Sequence, residues 1–88
     1  MSDYAAAHRD AVTAASVQVE KAIEALQRVE HEAMVARTMI TNAVGEDPRV
    51  ESAANALSAM TRVHAAAGDL IHQCGVVLAE LERFGGGF

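Results

Sequence analysis

Eighty-eight residues with a net charge of −5 and 3% aromatic content make one domain at most, with little to offer a nucleic acid or an anionic membrane surface. Alanine-rich composition, with Tyr4, Phe84 and Phe88 as the aromatics and Pro48 as the lone proline, suits closely packed helices and does not suit a β-sandwich. Cys74 stands alone, so no intramolecular disulfide and no cysteine-based metal site can form, which fits a reducing compartment.

The first predicted element is a helix over about residues 4–44. Its contact series, spaced alternately by three and four, runs Ala5, His8, Val12, Ala15, Val19, Ala22, Leu26, Val29, Ala33, Ala36, Ile40, Ala43. All but His8 are apolar, which is the seam of a coiled-coil-like helix and not the alternation of a strand. The opposite face carries Asp10, Glu20, Lys21, Glu24, Arg28 and Glu32. Glu24–Arg28 and Arg28–Glu32 stand at i,i+4, a spacing that supports a helix by ~0.2–0.5 kcal/mol per pair.

Gly45-Glu46-Asp47-Pro48 breaks the pattern, and residues 45–47 are expected to turn. Gly45 suits a helix C-cap, Asp47 an N-cap and Pro48 the first helical position, where no N–H bond is lost. A second helix is then predicted over about 48–84, with the seam Val50, Ala53, Leu57, Met60, His64, Ala67, Ile71, Cys74, Leu78, Leu81. Gly85-Gly86-Gly87 should end it, because glycine makes a helix entropically costly, and residues 85–88 are expected to form a flexible tail.

So short a link allows only antiparallel neighbours, and the fold class is all-α: a two-helix hairpin. Counting outward from the turn sets Ile40 against Ala53, Ala33 against Met60, Val29 against His64 and Val19 against Cys74. A single hairpin buries one narrow seam, a marginal core at this length. Helix two is built for more. Between Ser52 and Ala79 its only formal charges are Arg62 and Asp69, and a second stripe runs beside the seam: Ala56, Ala59, Val63, Ala66, Leu70 and Val77, interrupted by Gln73. Two apolar stripes on one helix imply two contacts, one inside the hairpin and one with another chain. The expected partner is a second copy or a related small helical protein, and the expected product a four-helix bundle or larger helical oligomer.

Chemistry finds little footing. His8 and His64 fall in the seam, where they read as polar residues that fix register. Helical metal sites pair ligands at i,i+3 or i,i+4, and no such partner follows His8, His31, His64 or His72. Cys74, among hydrophobes, reads as a small core residue. Met1, Met34, Met39 and Met60 read as packing filler, and Glu30-His31-Glu32 as a solvated patch. Phosphate loops, nucleophile elbows and Ser-His-Asp arrangements are all missing, so no catalytic, cofactor or metal site is expected. Phe88, behind three glycines, is a candidate linear motif for a partner pocket, with a frayed terminus as the alternative.

The N-terminal Met1-Ser2-Asp3-Tyr4 lacks the basic segment and apolar run of a secretory leader, and no stretch approaches the ~20 apolar residues that span a bilayer. A cytoplasmic protein is expected, with export open only to a route that uses no cleaved signal.

Two long helices joined at a glycine, in a chain of this size, resemble the WXG100 (ESAT-6-like) family. Gly45 stands where that family carries the glycine of Trp-x-Gly, although Ala43 replaces the tryptophan. Leu78-x-x-x-Glu82 is a degraded counterpart of its Tyr-x-x-x-Asp/Glu export signal. The resemblance implies a hairpin that pairs as a dimer and serves type VII secretion. Read from the residues alone, the function is non-enzymatic protein–protein interaction, with a structural or adaptor subunit of a homo-oligomeric assembly, a phage component included, as the alternative.

Overall fold

The computed structural model describes residues 2–44 and 51–86, with side chains over 4–44 and 51–85. Two helices account for them: α1, Ser2–Val44, and α2, Glu51–Gly86. The molecule is an all-α antiparallel hairpin. Its Cα atoms span 70 × 15 × 13 Å, most of which is the length of the 43-residue α1, about 64 Å at about 1.5 Å per residue. The capping roles expected of Gly45, Asp47 and Pro48, and the tail residue Phe88, lie outside the described residues.

Contacts at the open end set the register. The His8 and Phe84 rings lie 4.8 Å apart, tilted by 54°. A Cβ on Gly85 would stand 3.2 Å from Val12 Cγ1. That close approach explains why the helix continues through Gly85 and Gly86, past the expected end at residue 84: the bare glycine lets α2 lie directly on Val12. The expectation of a tail beginning at Gly85 is corrected accordingly.

On α2 the nine described seam positions, from Ala53 to Leu81, are all buried or half-buried as expected, and Ala59, Gly68 and Gly85 join them. On α1 the seam shifts. Ala15, Ala22, Val29 and Ala43 are exposed, and the next residue in each case, Ser16, Ile23, Glu30 and Val44, takes the half-buried place. A strict seven-residue repeat drifts by about 20° per heptad on a straight helix. Consecutive four-residue steps, His8–Val12–Ser16 and Ala36–Ile40–Val44, absorb that drift and carry the contact line forward. At 22/23 the larger Ile23 also buries more apolar surface than Ala22 could. Ser16 is tolerated because its hydroxyl donates to the Val12 carbonyl at 3.0 Å.

The resulting core is thin. Only Ala33, Ala53 and Ala67 are buried among the described residues, and no large side chain is fully enclosed. A compact globular chain of 9.3 kDa would expose about 5,000 Å², yet this one exposes 6569 Å².

Candidate functional site

The surface left uncovered is not evenly apolar. The stripe expected on α2 is largely open: Leu70 is 51%, Val77 45% and Val63 37% exposed, Ala56 and Ala66 are exposed, and Ala59 is half-buried. Beside it, α1 presents the positions its seam has vacated. Val29 is 44% exposed, and the line continues at helical spacing through Ala22, Ala25, Ala36 and Met39.

The two lines meet. A groove of about 760 Å³ is lined by Ala25, Val29, Ala33 and Ala36 from α1 and Met60 and Val63 from α2, with Arg28 and Glu32 also at its wall. Because residues at i+3, i+4 and i+7 share a helix face, Leu70 and Val77 continue the Val63 face of α2 beyond the groove. Phe84, seven residues after Val77, is 57% exposed beyond its contact with His8.

The other flank differs. There α1 carries Arg9, Glu20, Glu24, Gln27, His31 and Arg37, and α2 carries Ser58, Thr61, Gly68, His72 and Glu82, nearly all exposed. Thr38, Thr41 and Thr61 turn their hydroxyls back to the carbonyls of Met34, Arg37 and Leu57, a satisfied solvated surface. The hairpin is therefore more apolar on one flank than on the other, where Met34 is 49% exposed among Arg37, Thr38 and Thr41. The α2 stripe is legible in the sequence and the α1 line is not, because Ala22 and Val29 fit the three-four seam as well as they fit a surface.

Of the sequence-noted histidines, His8 packs on Phe84, His64 is half-buried in the seam, and His31 and His72 are exposed. Among the described residues no three His, Cys, Asp or Glu side chains gather as a metal site would need, and no helix is long and apolar enough to cross a membrane. Cys74 is a half-buried free thiol in the seam. The apolar flank remains as the feature that can act, and what it can do is exclude water against a complementary surface. No family model, curated protein or solved structure matches this chain.

Proposed function

We propose that this chain is a non-enzymatic helical hairpin that works by protein–protein interaction, docking its apolar flank on another helical surface. The observation that carries this reading is the joining of the two stripes along one groove, with Val29 and Val63 on either side of it. The elongated hairpin exposes about 1,600 Å² more than a compact chain of equal mass, surface enough for the ~800 Å² that each partner gives to a standard-size interface. An aspartate in the flank introduces a charge that docking would have to desolvate. Leu70→Asp should therefore abolish association measured by light scattering and by capture from native cells, while helicity by circular dichroism persists. Unchanged association in both assays sinks the proposal.

A narrower form of the same reading is a type VII secretion-associated partner protein. It draws on the glycine of Ala43-Val44-Gly45 and on Leu78-x-x-x-Glu82. Its test is export from native cells: Glu82→Ala should retain the chain inside, and export that does not depend on Glu82 or on the secretion machinery removes this form. Assembly as an adaptor subunit of a larger homo-oligomer draws on the length of the flank, and a mass well above a dimer would select it.

A further inference from the structure

We infer that Met39 is an oxidation site, where a hydroperoxide converts the thioether to a sulfoxide and so releases the apolar flank from its partner. The inference rests on the docking reading above and adds a regulation of that same surface. Met39 is 65% exposed, more open than any other large apolar side chain of the described residues except Tyr4. It stands one turn past the groove residue Ala36, with Ala43 at i+4, so all three share a face of α1. Toward the turn, the α2 stripe is Ala56 and Ala59. On the turn side of Val63, Met39 is therefore the one large exposed apolar group that the flank offers among the described residues.

The other methionines set the contrast. Met60 lines the groove but is half-buried in the seam, so its sulfur is partly shielded. Met34 is exposed as Met39 is, yet it stands on the other flank, beside Arg37, Thr38 and Thr41. Peroxide therefore reaches Met34 and Met39 first, and only Met39 lies where a partner covers it. In the reaction a sulfur lone pair attacks one peroxide oxygen. The S–O bond forms as the O–O bond breaks, and the second oxygen leaves as water. Sulfur gives up two electrons and the peroxide takes them. The product exchanges a flexible apolar group for a polar, chiral one. Docking then has to strip water from the new S–O dipole, and Ala36, Ala43, Ala56 and Ala59 offer it no side-chain donor in return.

Limited hydrogen peroxide treatment of the full chain tests this, with sulfoxides located by peptide mass spectrometry and Cys74 restored afterwards by a thiol reductant. Association, by light scattering and by capture from native cells, should weaken about tenfold as Met39 converts. Methionine sulfoxide reductases should restore it. Met39→Leu keeps the apolar contact and should stay associated after treatment, whereas Met34→Leu should lose association as the parent does. Without any oxidant, Met39→Gln should reproduce the loss and Met34→Gln should not, both with unchanged helicity because neither residue lies in the seam. Association that survives full conversion of Met39, or a treated Met39→Leu as weak as the treated parent, overturns the inference and leaves the docking reading standing. An untreated parent that associates with nothing in either assay removes both.

Discussion

Glu30 reaches across the seam to Gly68, where an added Cβ would stand 3.4 Å from its Oε2. A glutamate can hold a half-buried place here because the residue opposite has no side chain, and a carboxylate oxygen lies in the space over its bare backbone. Gly75, two turns on, has nothing within 4 Å of its own Cβ position. Both glycines sit in a helix interior, where alanine is favoured by roughly 0.5–1 kcal/mol. Gly75→Ala should gain most of that, and Gly68→Ala less, since Glu30 has to move. Thermal melts that rank Gly75→Ala below the parent contradict this geometry.

The shifted seam makes a second prediction. Ile23 is half-buried between the helices, while Val29 faces the groove. Ile23→Ala should cost the hairpin about 1–3 kcal/mol, below the 2–5 typical of a fully enclosed isoleucine. Val29→Ala should cost the hairpin under about 1 kcal/mol and weaken association instead. Denaturant unfolding separates the two, and equal losses would return Val29 to the seam.

How much of this was legible follows from what alanine can and cannot signal. The hairpin itself was readable, because two apolar series broken at one glycine–proline turn admit few other folds. The α2 seam was readable too, since Leu57, Ile71, Leu78 and Leu81 are large enough to mark a face. On α1 the series rests on Ala15, Ala22 and Ala43, which fit a seam and a surface equally well. There a three-four count cannot distinguish 22 from 23, and only packing decides, through the bulk of Ile23 and the space over Gly68. The groove is a consequence of that choice, so its α1 wall could not be read before the helices were brought together.

The two C-terminal phenylalanines should part company. Phe84 packs on His8 and closes the open end of the hairpin. Phe84→Ala should cost about 0.5–1.5 kcal/mol and speed amide exchange in the first turns of α1. Deleting residues 87–88 should leave the melting temperature unchanged, because they follow the last residue of α2. If Phe88 is a linear motif, that deletion removes one binding partner and leaves self-association intact. Identical partners for the parent and the shortened chain end the motif idea.

The central claim is that an apolar flank this broad is covered by a second chain, and the mass in solution tests it most directly. Light scattering of the purified protein at micromolar concentration should give twice the 9.3 kDa chain mass, falling toward a single chain on dilution and in Leu70→Asp. A fully helical, cooperatively melting species of 9.3 kDa at every concentration would contradict it.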